Sequence, residues 1–182
     1  MLPFLTLMVD PGGMTGLAAL YGQDPDLRLH AREDPPEVAA DVIWHMASLY
    51  DSRLTLCWER YTITARTAKL TRQNDALEMI GVLKFAARKH GCLVAPERQQ
   101  ATPSREEQEV LRRLGWWREG KDDAQSAAGH MLRFVLDSGS APPKVLDAVV
   151  NREKMHVRKQ QAGNRRGAGG RPAGKGSEEE DR

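Results

Sequence analysis

The chain has 182 residues, of which 40% are hydrophobic, and a net charge of +2 at pH 7. This length predicts one core domain followed by a tail, and the sequence contains neither a membrane-spanning apolar run nor the pattern of a secretory signal. Cys57 and Cys92 each lie in an apolar run without a CxxC motif. We therefore expect two reduced core thiols in a cytoplasmic protein.

Residues 4–16, FLTLMVDPGGMTG, predict a buried strand that delivers one acid, Asp10, into a glycine-rich turn. Either Asp10 only starts an Asx turn before Pro11, or a cation, an Arg or hydrogen bonds stabilise its charge, because an isolated buried carboxylate is costly. The turn glycines allow positive φ and the close approach of another chain or a phosphate. They are Gly12, Gly13 and Gly16.

The next segments predict two strands and a helix. Residues 17–21 are apolar, and residues 27–32 alternate between apolar and polar side chains, which is typical of a half-buried strand. The chain therefore begins with a three-stranded meander. After Pro35 and Pro36, apolar residues recur at helical spacing up to Tyr50.

Residues 54–58, LTLCW, predict a central strand buried on both faces, and Glu59 follows it directly. If this strand lies parallel to the first, Glu59 and Asp10 are separated by one strand spacing, roughly 5 Å. Two carboxylates at that distance repel each other unless a divalent cation neutralises them. Alternatively, Glu59 forms a surface salt bridge with Arg60, Arg66 or another basic group.

The loop over residues 60–72 contains basic, hydroxyl-bearing and aromatic side chains and no acid. Cations that contact a backbone and a ring that stacks are what a phosphodiester substrate needs. The residues with these properties are Arg60, Tyr61, Arg66, Lys69 and Arg72.

A second helix, capped by Thr71 or Asn74, is predicted to continue to about His90. Gly91 ends it, and residues 92–95 predict a short buried strand that a right-handed crossover makes parallel to its predecessor. Ser104 begins an SxxE capping box, which predicts a third helix up to Leu114. A tryptophan pair follows. We expect it to cover the hydrophobic core, and the less favoured alternative is that it forms a binding surface. It consists of Trp116 and Trp117.

Residues 121–136, KDDAQSAAGHMLRFVL, predict an amphipathic helix whose small residues allow close packing on the sheet. Helical geometry places Asp123 on the flank of the apolar stripe, together with His130, and turns Asp122 away. Asp122 is therefore an N-cap or an outer contributor to the site. His130 either orients an acid or a water, or is an ordinary buried histidine.

The C-terminal segment has a different composition. Pro142 and Pro143 predict a linker, residues 144–149 a short helix, and the rest a disordered basic tail that ends in acidic residues. Such a tail binds nucleic acid through counterion release or serves only as a solubilising extension.

The element order β-β-β-α-β-α-β-α, with acids at these positions, resembles the ribonuclease H-like fold and, more narrowly, the RuvC-type Holliday junction resolvases. The matching motifs are VDPGGMTG, LCWER and KDDAQSAAGH, and the resemblance covers residues 5–136. It implies an α/β fold in which a mixed five-stranded sheet, an antiparallel meander plus two parallel strands, is flanked by helices. The domain would cover 1–140, before the 141–182 tail, in a phage-encoded protein.

The resemblance also implies a metal-dependent endodeoxyribonuclease that resolves branched DNA as a homodimer, without a membrane or a small-molecule cofactor. Asp10, Glu59 and Asp123, with Asp122 as a weaker fourth acid, would hold two Mg²⁺ ions, for which Mn²⁺ can substitute. Arg98 and Arg105 would be the candidates for contact with the scissile phosphate, and Tyr61 lies near the position of an aromatic wedge.

One departure from the family pattern is Ser126, which stands where a second acid of the last helix is expected. Two other functions therefore stay open: a nuclease of the same fold that cuts RNA–DNA hybrids, flaps or forks, and a catalytically degenerate DNA-binding factor. The DPGGMTG turn also resembles the phosphate loop of actin-like ATPases, but 182 residues leave no room for their second domain.

Overall fold

The structure is a computed structural model that describes residues 5–61, 73–97, 102–139 and 141–151. The basic tail predicted beyond residue 151 lies outside these ranges. In the described part of the chain, no helix is both long and apolar enough to cross a membrane.

The first three strands form the predicted antiparallel meander. They are β1 (Leu5–Asp10), β2 (Thr15–Tyr21) and β3 (Arg28–Asp34). Asp10 pairs with Gly16, and Gly16 pairs in turn with Glu33. The meander therefore places the glycine-rich turn at the same end of the sheet as the acid that terminates β1.

The next strand, β4 (Leu54–Trp58), pairs with β1 in parallel and is buried at every position, as predicted. A second parallel strand, β5 (Leu93–Val94), pairs with β4, and the order in the sheet is β3-β2-β1-β4-β5. This is the mixed five-stranded sheet of the ribonuclease H-like α/β fold. The prediction of a buried strand over residues 92–95 was right for Cys92 and Ala95 but wrong for Leu93 and Val94, which are 53% and 54% exposed because β5 is an edge strand.

The described helices flank the sheet on both faces. They are α1 (Pro36–Tyr50), α2 (Gln73–His90), α3 (Arg105–Leu114), α4 (Asp122–Asp137) and α5 (residues 143–151). A short 3₁₀ turn, Asp51–Arg53, leads from α1 into β4. Asn74 lies inside α2 and is not its cap, whereas Thr71 lies outside the described residues.

The sheet separates two hydrophobic cores. On one face, α1 and α2 pack through residues such as Ile43 and Leu83, together with Leu7 of β1. On the other face, α3, α4 and α5 pack through Met131 and Val145, which are both fully buried. The predicted reduced cysteines are confirmed, since Cys57 and Cys92 are buried and are not joined in a disulfide.

The predicted capping box at the start of α3 is present. The Ser104 backbone N–H donates to Glu107 Oε2 at 2.6 Å, and the Glu107 N–H donates to Ser104 Oγ at 3.2 Å. After α3, Trp116 is only 3% exposed and belongs to the core, so the predicted packing against the hydrophobic core is confirmed for this residue.

Helix α4 packs closely on the meander. A Cβ atom built on Gly16 would overlap the backbone oxygen of Asp123, and Ala124, Ala127 and Ala128 are fully buried. The close approach predicted from these small residues is therefore confirmed. Gly16 is needed for this approach and not for positive φ, since its φ lies outside the left-handed region. The approach fixes the first turn of α4 beside the end of β1.

Candidate active site

The site is built around two acids at the ends of neighbouring parallel strands. Asp10 is the last residue of β1, and Glu59 follows β4, with its backbone N–H donating to the carbonyl of Val9 at 2.9 Å. Because β1 and β4 are parallel and Val9 pairs with Trp58, the two carboxyl groups lie side by side. They are hydrogen-bonded to each other.

The first turn of α4 lies over these acids and completes a cavity of about 540 Å³. All four acids singled out from the sequence line it: Asp122 is exposed, and Asp10 and Asp123 are half-buried. The residues that line the cavity are Asp10, Pro11, Glu59, Thr102, Pro103, Gln108, Trp117, Asp122, Asp123, Gln125 and Ser126.

Asp10 has a strongly shifted pKa in this cavity. Burial raises the pKa of Asp10 to about 8, and the hydrogen bond and negative charge of Glu59 and the charge of Asp123 act in the same direction. A hydrogen bond from Ser126 opposes the rise of this pKa without reversing it. At neutral pH, Asp10 therefore keeps its proton, which bridges to Glu59.

The pKa of Glu59 shifts in the opposite direction, although this residue is only 5% exposed. Burial disfavours its charge, but hydrogen bonds from His130 and Asp10, with the positive charge of Arg133, hold its pKa below the usual range. His130 Nε2 lies 2.9 Å from Glu59 Oε2. Since an ionised carboxylate only accepts hydrogen bonds, Nε2 is the donor.

This contact is compatible with both interpretations of His130. The ring is 1% exposed and hydrogen-bonded, as an ordinary buried histidine is, and its partner is the acid Glu59, which the ring can orient. The contact also corrects the alternative of a surface salt bridge between Glu59 and Arg60. Glu59 pairs with His130 and Arg60 is exposed, whereas Arg66 lies outside the described residues.

A second polar cluster, which the sequence did not predict, fixes the part of the cavity wall that Thr102 and Pro103 form. Arg133 of α4 donates to both Glu107 carboxylate oxygens, at 2.5 and 2.7 Å, and to the Thr102 carbonyl at 3.1 Å. The hydrogen bond from Arg133 holds the pKa of Glu107 below its usual range. Gly129 leaves space for the ring of Pro103, which a Cβ atom would overlap. Thr102 and Pro103 are thereby fixed against α4.

The chemistry of the acids fits a hard divalent cation, because carboxylate oxygens are the ligands that Mg²⁺ and Mn²⁺ prefer. The proton shared by Asp10 and Glu59 is one that a bound cation would displace. Within the described ranges, however, no three His, Cys, Asp or Glu side chains lie close enough together to hold an ion. The ligand set of three or four acids is therefore not assembled in this structure.

The candidate DNA contacts are only partly described. Arg60 and Arg105 are exposed, and Arg105 opens α3 beside the wall of the cavity. Tyr61 is half-buried and packs against the core beneath α1 and α2. The other candidates lie outside the described residues: Arg66, Lys69, Arg72 and Arg98.

No protein-family model matches the sequence, and no curated protein matches it significantly. Among solved structures, the chain is similar to RuvC from Thermus thermophilus, with 20% identity and a TM-score of 0.47 over 76% of this chain and 99% of that one. It is also similar to T. thermophilus RuvC in complex with a Holliday junction substrate, with 16% identity and a TM-score of 0.46 over 77% and 99% of the two chains. These distant matches establish neither activity nor substrate, and they give no support to a phage origin.

Proposed function

We propose that the chain is a divalent-cation-dependent endonuclease. The observation that carries this proposal is the convergence of Asp10, Glu59 and Asp123 on one cavity, where burial and the neighbouring acids raise the pKa of Asp10 to about 8. A group of acids that cannot all ionise together is electrostatically unfavourable without a positive partner. A cation in the cavity would remove this cost.

In this proposal, Asp10, Glu59 and Asp123 are the ligands of Mg²⁺ or Mn²⁺, and Asp122 contributes from the rim of the cavity. The bound metal would lower the pKa of the attacking water and stabilise the leaving 3′ oxygen of a phosphodiester. Asp10 would give up its proton to make room for the cation, and His130 keeps Glu59 ionised and oriented. Ser126 hydrogen-bonds to Asp10 and takes part in its orientation.

We further propose that the substrate is branched DNA, above all a four-way junction, cut by a homodimer whose two sites match the two-fold symmetry of the junction. The support for this substrate is the resemblance carried by the three acidic motifs. The exposed side chains of Arg60 and Arg105 are suited to phosphate contacts. The remaining proposed DNA contacts are Tyr61, Arg66, Lys69, Arg72 and Arg98.

A second candidate is a DNA-binding factor without catalytic activity. Two observations favour it: Ser126 supplies a hydroxyl where the motif would have an acid, and the described acids do not form a three-ligand group. Because Ser126 replaces a carboxylate, the cavity carries less negative charge, and a second cation would bind there more weakly.

One cleavage assay distinguishes the proposed endonuclease from the DNA-binding factor. The purified full chain is incubated with a four-way DNA junction, a linear duplex and an RNA–DNA hybrid, each with Mg²⁺, Mn²⁺ or EDTA. We expect paired, metal-dependent nicks in the junction alone. Cleavage confined to the hybrid would move the proposal to another substrate, and junction binding without cleavage would favour the DNA-binding factor and make Ser126→Asp the next variant to assay.

The matched variants in this assay are Asp10→Asn and Asp41→Asn, which remove one acid in the cavity and one exposed acid on α1. We expect Asp10→Asn to bind the junction as wild type does and to cut it at least about 1,000-fold more slowly, with Asp41→Asn unchanged. Wild-type cleavage by Asp10→Asn would refute the assignment of the metal ligands.

A further inference from the structure

The described helices leave one part of the sheet open to solvent. Helices α1 and α2 pack over β1 and β4, and on β2 the core beneath them ends at Leu17 and the half-buried Ala19. The side chains of β3 that point to this face are Arg28, His30 and Arg32, and all three are exposed. The residues between them point to the other face, towards α4. The outer edge of the sheet is therefore apolar on the α4 side and basic on the opposite side.

The strand register places an aromatic ring beside these basic side chains. Tyr21 pairs with Arg28, and Ala19 pairs with His30, so the side chains of each pair share one face of the sheet. The Tyr21 residue is 42% exposed and does not belong to either hydrophobic core. We call the surface formed by Tyr21, Arg28, His30 and Arg32 the basic face.

The chain around the basic face leaves most of its donors available. Among the described residues, Arg28 and His30 have no side-chain partner. The acid between them and the end of the strand, Glu33, points to the opposite face, where Lys121 lies 3.2 Å from it. Two adjacent donors of the basic face can therefore bind a negative ligand without first breaking an ion pair.

The basic side chains form a row along β3. Successive side chains on one face of a strand are separated by about 6.8 Å, which is comparable to the step between neighbouring phosphates of an extended nucleic-acid strand. The Arg32 guanidinium is fixed by Asp34, to which it donates at 2.6 Å, and its side chain is still 45% exposed. A row of donors at this spacing fits a chain of phosphates better than it fits a single anion.

The aromatic ring at the end of the row distinguishes between polyanions. An unpaired base can stack on an exposed ring while neighbouring cations contact the backbone, and this combination on a sheet face is typical of single-strand binding. The bases of a duplex are already stacked on each other. An acidic peptide would use the cations but would have no base to stack on Tyr21. The basic face therefore fits a single strand of nucleic acid best.

We propose that the basic face binds single-stranded DNA, with a base stacked on Tyr21 and successive phosphates contacted by Arg28, His30 and Arg32. This site is separate from the acid cavity, which lies at the strand ends on the α4 side of the sheet. It adds a surface for an unpaired segment to the proposed nuclease, and it requires neither a metal ion nor cleavage.

Titration of a labelled thymidine oligonucleotide with the full chain in EDTA, followed by fluorescence anisotropy, tests the site without cleavage. We expect Tyr21→Ala to weaken binding about fivefold or more, and Tyr21→Phe, which keeps the ring, to bind as wild type does. Arg28→Ala should weaken binding and reduce the slope of log K against log salt by about 0.7, because one phosphate contact is lost. Tyr21→Ala should leave this slope unchanged.

The control variant is Lys89→Ala, which removes one charge at an exposed position on α2 and should bind the oligonucleotide as wild type does. All variants keep the basic tail, so a difference between them does not come from the tail. Their unfolding temperatures should match the wild type, because the substituted side chains are exposed. A duplex of the same length should bind Tyr21→Ala and the wild type equally.

Three results would overturn the proposal. The first is an oligonucleotide that does not bind, or that binds Tyr21→Ala and Arg28→Ala as it binds the wild type. The second is an equal loss of affinity in Arg28→Ala and Lys89→Ala, which would indicate a general effect of charge. The third is a poly-glutamate peptide that loses as much affinity as the oligonucleotide in both Tyr21→Ala and Arg28→Ala, which would make the partner an acidic protein segment. Each result leaves the nuclease assay open, because this binding is measured without metal.

Discussion

On one face of the sheet, the backbone of α4 lies against Gly16 of β2, whereas on the other face α1 and α2 pack through large apolar side chains and leave Gly81 facing outward. The two glycines show what this difference means. The missing side chain at Gly16 lets the first turn of α4, with Asp123, lie against β2, whereas nothing in the described chain requires Gly81 to lack a side chain. Close packing of the α4 backbone on β2 therefore forms a polar site on one face of the sheet. On the other face, packing through large side chains leaves part of α2 exposed.

The largest expected effect on stability comes from closing the space at Gly16. Gly16→Ala forces the new methyl group against the backbone of Asp123, which cannot move without α4, and we expect it to lower the free energy of unfolding by about 3 kcal/mol. The control is Gly81→Ala, which should raise the free energy of unfolding of the monomer by about 0.5–1 kcal/mol. Urea denaturation measures both. Equal effects of the two substitutions would contradict the close packing of α4.

The next effect concerns the buried pair on the α4 face. His130→Leu removes the hydrogen bond that keeps Glu59 ionised and oriented, so we expect Mn²⁺ affinity to fall by about 10–100-fold, measured by calorimetry. His130→Gln, which can still donate to Glu59, should recover part of the affinity. His45→Leu, an exposed histidine on α1, is the control. A folded His130→Leu chain with wild-type Mn²⁺ affinity would show that His130 has only a structural role.

The smallest expected effect is the pH dependence of stability without metal. The pKa of Asp10 is raised from its ordinary value of 3.8 to about 8 in the folded chain, so between these values only the folded state holds this proton. Asp10 therefore makes the free energy of unfolding fall as the pH rises through this window. Because water in the cavity screens the charge, we expect Asp10→Asn to gain about 2 kcal/mol over wild type at pH 8, and nothing below about pH 4.

The test of this prediction is thermal or urea unfolding at several pH values in EDTA, with Asp41→Asn on α1 as the control. This substitution removes the same charge at an exposed position outside the cavity. A stability gain for Asp10→Asn that is equally large at pH 4 and pH 8 would contradict the shared proton as its cause.

Most of the fold could be predicted because its elements are specified locally. The apolar run LTLCW predicts β4 at the bounds observed, and the Ser104–Glu107 capping box marks the start of α3. The exposure of Leu93 and Val94 could not be predicted in this way, because an apolar run has the same sequence in a central strand and in an edge strand. The position of a strand in the sheet is decided by its neighbours.

The sequence alone determined which acids end the strands and open the last helix, because strand and helix periodicity place Asp10, Glu59 and Asp123 at element boundaries. Only the tertiary structure decided how these acids behave. Glu59 is ionised because His130, 71 residues away, donates to it, and Asp10 keeps its proton because burial and the charges of Glu59 and Asp123 oppose its ionisation. A carboxyl group titrates according to the charges and solvent around it, and those neighbours meet only when the chain is folded.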